Sequence, residues 1–411
     1  MTARSLHKDM TIQEVLDNWP ETLDVFVANG FESFRNEQQR KAVAPFLRLE
    51  RAARMRNYDL ESFLDLLRER IALQANQVDV TMKKTEHSNS DITVAGLLPC
   101  PVRLPLLEGF DAFIEGFTRQ TGHKVSYKLE AASIGADWIA DNIRGIEEAE
   151  KLPDIFISAG FETFFDQQTI GRFKDQGVFQ DISPAQVNSD FDGLAIRDPK
   201  GDYSIVAAVA AVFMINHDVR GDLPIPRRWT DLLEPEFAQQ VALPVGDFDL
   251  FNAILLALYK DHGEEGIKKL GRSMLKSMHP SEMVKNAKRV SEAKPYVTIM
   301  PFFFTKMARM VKGLEIIWPE DGAIVSPIFM LTKRASLATT RPIAEFLCGR
   351  DVGEILSHKG LFPSLHPEVD NKMDFDHPWK WIGWDYIYQQ DIGRLIHSTN
   401  ALFEQALGLE P

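Results

Sequence analysis

The chain predicts an α/β fold preceded by a small all-α unit, and three observations carry that prediction. From Asp91 onward, apolar strand-like runs alternate with amphipathic helical ones, the order that builds a mainly parallel sheet covered by helices. Residues 1–75 carry only helical periodicity. Between the two, residues 76–90 (NQVDVTMKKTEHSNS) are polar and aperiodic and read as a linker. A length of 411 residues is enough for two or three compact units.

In the helical unit, Thr11 with Glu14 makes a capping-box pattern and Met10 with Val15 takes the staple positions, so a helix should begin at Ile12. Pro20 ends it. A second helix over 21–28 carries Leu23, Phe26 and Val27 and stops at Asn29-Gly30, with Phe31 packing back over its end. Pro45 suits the first turn of a third helix through FLRLERAARM, and Asp59 suits the N-cap of a fourth through LESFLDLLRERI.

In the α/β unit, ITVAGLL should be a strand, broken at Pro99, Cys100 and Pro101 before a helix whose Leu106, Phe110, Phe113 and Phe117 form one apolar stripe. Gly122 stops that helix. HKVSYKLE, a helix through IGADWIADNIRGIEEAE, and the strand DIFISAG follow. Farther on, YSIVAAVAAVFMIN and AIVSPIFML are long apolar strands. WTDLLEPEFAQQVALP should lead by a helix and loop into another strand, GDFDLFNAILLALY should be a helix, and VTIMPFFFTKMARM a strand and helix. The aromatic run HPWKWIGWDYIYQQ suits packing between elements better than ligand stacking.

Composition excludes several classes. Hydrophobic residues at 45% and charged ones at 26% describe an ordinary globular chain. A net charge of −13 argues against a general attraction to nucleic acid or an anionic membrane. Two cysteines, Cys100 and Cys348, are too few for a disulfide framework or a structural zinc site. The N-terminal MTARSLHKDMTIQEV lacks the apolar core of a secretory signal, and no apolar run reaches the roughly 20 residues of a membrane helix. The expected compartment is therefore the cytoplasm, with no membrane span. No cofactor is specified.

Two resemblances sharpen these expectations. HKDMTIQEVLDNWPETLDVFVANGF resembles the small helical N-terminal domain of iron-sulfur cluster repair proteins, over about 65 residues. Many of those relatives carry a cysteine pair after the second helix, where this chain has Phe31, Glu32, Ser33 and Phe34. From Asp91 to Pro411, the order of PLLEGFDAFIEGFTRQTGHKVSY, PDIFISAG and GVFQDIS resembles the type II periplasmic-binding-protein-like substrate-binding components of ABC transporters, most nearly the iron-type branch. That resemblance implies two lobes, the first over about 91–212 and 324–411 and the second over about 213–323. The chain would cross between them through YSIVAAVAAVFMIN and AIVSPIFML, and residues after Ala335 would return to the first lobe.

The resemblance also implies a cleft lined by loops at strand ends: 99–103, 133–135 and 158–161 from the first lobe, 246–249 and 300–304 from the second. Its candidate ligand-binding residues are Cys100, Arg103, Ser133, Ser158, Ala159, Gly160, Asp247, Asp249, Met300 and Phe302. Cys100 near a helix start is either a buried small hydrophobe, a soft-metal or thiol contact, or a nucleophile. Arg103 can hold a carboxylate or phosphate bidentately or lie on the helix surface. Ser158 with Gly160 can reach an anion or amide, or cap a helix. Asp247 and Asp249 favour a cation or an amine, although Asp249 also suits a helix cap. Phe302, Phe303 and Phe304 offer an apolar wall, at least one of them in the core.

The iron-type branch often holds ferric ion with paired tyrosines, whereas the seven tyrosines here include no adjacent pair and the ten histidines show no HxH or HxxxH spacing. The preferred reading is a non-enzymatic solute-binding protein that closes two lobes on a small molecule or metal ion, with its helical module docking a protein partner. The rivals are a metal- or sulfur-handling protein or enzyme using Cys100, and an interaction protein whose cleft has lost its ligand.

Overall fold

The computed structural model describes residues 6–23, 26, 31, 34, 37–55, 60, 64, 67, 71, 90–98, 102–131, 143–245, 248–277, 294–308, 311–373 and 377–407. The chain divides into two compact units, 1–88 and 89–411.

The first unit is helical. Helix α1 (Ile12–Asn18) starts on the expected capping box: the Glu14 N–H donates to Thr11 Oγ1 at 3.2 Å, and the Thr11 N–H donates to Glu14 Oε2 at 2.8 Å. The Thr11 N–H holds the Glu14 carboxyl below its ordinary range. Two further helices are α2 (Glu37–Val43) and α3 (Leu49–Met55). Here the sequence expectation needs correction. Pro45 does not open a helix; it stands in a turn between α2 and α3, because its ring blocks continuation of α2 and the Phe46 N–H closes the turn on the Val43 carbonyl at 3.1 Å. The core gathers Ile12, Val15, Phe26, Phe31, Phe34, Leu49, Ala52, Leu64 and Leu67. Phe31 and Phe34 stack at 5.2 Å, so both positions are spent on packing. Most of the expected second and fourth helices, and the 76–90 linker apart from Ser90, lie outside the described residues.

The second unit is a ten-stranded mixed sheet among the described residues. Its strands are β1 (Ile92–Leu98), β2 (Val125–Ala131), β3 (Ile155–Ala159), β4 (Ser204–Asn216), β5 (Val241–Leu243), β6 (Met274–Ser277), β7 (Val297–Pro301), β8 (Leu314–Ile317), β9 (Ala323–Thr332) and β10 (Trp379–Lys380). The main order is β2-β1-β3-β9-β4-β7-β5-β6, with β8 paired to β4 and β10 to β9. Within β2-β1-β3 and within β7-β5-β6 all pairs are parallel, as alternation with helices predicts. The two triplets meet through β9 and β4, which are antiparallel to each other and to their outer neighbours, so the sheet as a whole is mixed.

Strands β4 and β9 are buried along their whole length, which explains why each reads as an unbroken apolar run. β4 changes partner at Ala211. Residues 204–211 pair with β9, and residues 211–215 pair with β7. This makes β4 and β9 the common spine of both triplets.

Helix α4 (Arg103–Thr121) follows β1 and buries Leu106, Phe110 and Phe117, while Phe113 stacks on Phe346 at 4.3 Å. Gly122 ends it with φ +76° and donates its N–H to the Thr118 carbonyl at 2.9 Å. Helix α5 (Glu162–Phe165) follows β3. Helix α6 (Phe248–Ser273) runs well past the predicted Tyr259, bending at Gly263, where φ is +61°. WTDLLEPEF forms two short 3-10 turns, 229–233 and 235–237, and not a full helix.

The C-terminal region divides between the two sides of the spine. Helix α7 (Leu337–Leu347) lies against α4 through Phe346, whereas α8 (Ile392–Ala406) lies along α6, with Phe403 edge-on to Phe251 at 5.0 Å. The aromatic run packs: Trp379 donates to the Asp190 carbonyl at 2.8 Å, Trp384 to the Ile196 carbonyl at 2.7 Å, and Tyr388 to Asp198 Oδ1 at 2.8 Å.

Candidate functional site

The site is best built from the carboxyl end of β3, where the first triplet meets the start of α6. Ala159 is the last strand residue, and Gly160 turns the chain with φ +80°, a conformation that favours glycine. The Gly160 N–H donates to the Pro327 carbonyl at 2.9 Å, which ties the turn to β9. A Cβ at this position would lie 2.5 Å from Asp249 Oδ1. Glycine is thus required twice, by its backbone and by the carboxylate set against it.

Asp249 stands in the first turn of α6, and its backbone carbonyl accepts the Ser326 hydroxyl at 3.1 Å. One helical turn on, the buried Asn252 donates to Glu162 Oε2 at 3.3 Å and accepts from Asn400 at 2.9 Å. Glu162 opens α5, two residues after Gly160. A polar seam therefore links α5, α6, β9 and α8, with two carboxylates, two carboxamides and a hydroxyl. Oxygen donors dominate it. That set suits a cation or an amine, since carboxylates favour positive charge and hard metal ions favour oxygen.

Among the predicted site residues, the structure brings Gly160 and Asp249 together, with Ala159 beside them. Ser158 is buried opposite Phe329 and donates its hydroxyl to the Ala159 carbonyl at 3.3 Å. Met300 is buried on β7 in a separate apolar cluster with Val212 and Met214, and Phe302 packs edge-on against Trp318 at 5.3 Å within that cluster. Arg103 is the first residue of α4. Cys100, Ser133 and Asp247 lie outside the described residues. Among the described residues, no group of three or more His, Cys, Asp or Glu is placed to hold a metal ion, and no helix is long and apolar enough to cross a membrane.

Sequence reasoning missed Glu162, Asn252, Ser326 and Asn400. Glu162 carried a signal, as an acidic residue two places after the strand-end glycine. Asn400 carried none, because its partner is 148 positions away in the chain.

At the other end of β3, Asp154 anchors the frame. It accepts the Thr93 N–H at 2.8 Å and pairs with Lys333 at 3.1 Å. Burial pushes the Asp154 carboxyl up, but the Thr93 N–H and the Lys333 ammonium outweigh that and hold it below its ordinary range. Lys333 is itself buried and also donates to the carbonyls of Glu150 and Leu152 at 3.0 and 2.8 Å. This pair joins β1, β3 and the end of β9, which steadies the strand that presents Gly160.

Two parallel triplets joined by a pair of long crossing strands, with a polar seam where they meet, define a two-lobed solute-binding protein. The sequence profile of bacterial extracellular solute-binding proteins matches residues 150–390, and the chain belongs to that family. A second profile, the domain of unknown function DUF1858, matches residues 6–64. Solved structures similar in fold include the ferric binding protein from Campylobacter jejuni, with TM-score 0.55 and 13% identity over 77% of this chain and 99% of that one. The apo ferric ion-binding protein A of Pasteurella haemolytica has TM-score 0.55 and 14% identity over 77% and 97%. A Trichodesmium protein (IdiA, FutA), solved in complex with iron and citrate, has TM-score 0.53 and 14% identity over 77% and 98%. No curated protein matches this chain in sequence.

Proposed function

We propose that this solute-binding protein takes a small positively charged solute, a metal ion or an organic amine, in the seam between its lobes, and that it does so without catalysing a reaction. The observation that carries the reading is the placement of the Asp249 carboxylate from α6 against Gly160 at the end of β3, with Glu162 opening the next helix. A ligand held there touches both sides of the β4–β9 spine. Ligand capture and lobe closure are then one event. The ferric-binding proteins of the same fold support a metal cargo, and the oxygen-rich seam accords with one.

The test is thermal unfolding of the full chain with ferric citrate, calcium, spermidine, phosphate and sulfate. A ligand that binds only the folded state at about 100 times its Kd stabilises it by about 2.7 kcal/mol. A cationic solute should raise the melting temperature, and Asp249→Asn should remove the rise. Stabilisation by phosphate or sulfate alone would reverse the assigned charge. For the compartment our proposal is the cytoplasm. Cell fractionation tests it, and recovery in the periplasmic or extracellular fraction would overturn it.

A further inference from the structure

The helical unit presents a surface that its own core leaves unused. Among the described residues, the large apolar side chains left exposed are Val43, Phe46 and Met55, and all three belong to this unit. Phe46 is 81% exposed. It is held outward by a hydrogen-bonded turn: the Phe46 N–H donates to the Val43 carbonyl at 3.1 Å, while the carbonyls of Ala44 and Leu47 accept the N–H groups of Gln13 and Ile12 at 3.0 and 2.8 Å. Ala44 and Leu47 are buried on either side of it.

The chain segment that carries this turn is basic, although α1 brings Glu14 into electrostatic contact with Arg48. Between residues 37 and 56 there are six Lys and Arg and two Glu, in a protein of net charge −13. Leu49, Ala52 and Ala53 of α3 face the core, which leaves Arg48, Arg51 and Met55 exposed at spacings of three and four. Arg54 is paired with Glu50 at 2.9 Å.

We propose that Val43, Phe46 and the exposed side of α3 form a docking surface for an acidic, amphipathic segment of a partner protein. Phe46 supplies the apolar anchor, and Arg48 and Arg51 supply the complementary charge. An anionic membrane could draw on the same side chains, and the test below separates it from an acidic peptide. The surface lies wholly within the helical unit, so the inference does not rest on the solute-binding reading.

The test uses the full chain and a fluorescein-labelled helical peptide of about 20 residues with Leu on one face and Glu on the other, read by anisotropy. Binding should weaken as salt rises to about 0.5 M. Phe46→Ser and the pair Arg48→Glu with Arg51→Glu should each weaken it about tenfold or more, with the melting temperature unchanged. A salt-insensitive complex, equal binding by both variants, or no binding at all would overturn the proposal. So would sedimentation with phosphatidylserine vesicles, abolished by Phe46→Ser, in a chain that ignores the peptide.

Discussion

Gly160 is the residue on which the seam turns, and its replacement tests the geometry directly. Gly160→Ala places a Cβ 2.5 Å from Asp249 Oδ1 on a backbone with φ +80°, so it should cost roughly 1–3 kcal/mol of stability and weaken solute binding, as read by urea melts and ligand-induced melting shifts. Lys333→Met leaves the Asp154 carboxylate buried without its ammonium, and a broken buried pair costs about 3–5 kcal/mol. The pH dependence has a definite sign. The folded Asp154 carboxyl is held below its ordinary range, so the pair's contribution is present at neutral pH and is lost as pH falls below about 4. The gap between wild type and Lys333→Met in denaturant midpoint should therefore shrink as pH falls from about 7 to about 3. Cys348 has the opposite bias. Burial, and then the nearby Asp181 carboxylate, push its thiol well above the usual range, so it should resist a disulfide reagent until the chain unfolds. Rapid reaction of Cys348 in the native protein, located by peptide mapping, would contradict its buried position.

The elements show where the sequence was readable and where it was not. Strands β1, β3, β4, β7 and β9 stand where apolar runs placed them, because each is buried on at least one face and its composition reports that burial directly. Helix α4 was equally plain, since its Phe stripe and its Gly122 stop are both local signals. The last part of α6 was not. Residues 260–273 carry glycines at 263, 266 and 271 that disfavour a helix locally, and packing overrides them: a Cβ on Gly271 would lie 2.7 Å from the Ala406 Cβ of α8. The site divides in the same way. Gly160 and Asp249 were legible through the resemblance, with strand-end and helix-start chemistry in accord, whereas Asn252 and Asn400 depend on α8 returning beside α6, which no local pattern encodes. That return makes a prediction of its own. Phe403→Ala removes the ring that meets Phe251 at 5.0 Å in the core, and a large core truncation of this kind costs about 3–5 kcal/mol. Calorimetry should show the loss in the main unfolding transition of the second unit, because α8 packs into the same apolar cluster as the sheet.

For the molecule as a solute binder, what matters is how the two triplets move about their shared strands. β4 and β9 belong to both sides, so a rotation that opens the seam can be absorbed along them without breaking either parallel triplet. The Glu162–Asn252–Asn400 chain spans the seam and opposes such a rotation. Its contribution is modest, since a hydrogen bond nets about 1 kcal/mol and one to a charged group about 1.5–3 kcal/mol. That size is enough to shift an equilibrium between open and closed lobes by about tenfold while leaving the fold intact. Asn252→Ala should therefore raise the unliganded radius of gyration in small-angle X-ray scattering. It should also weaken solute binding by about the same factor as it depopulates the closed form, because apparent affinity scales with the binding-competent fraction. A variant that binds less well with an unchanged radius of gyration would show instead that Asn252 contacts the solute itself, and lobe closure would then have to be controlled from the spine.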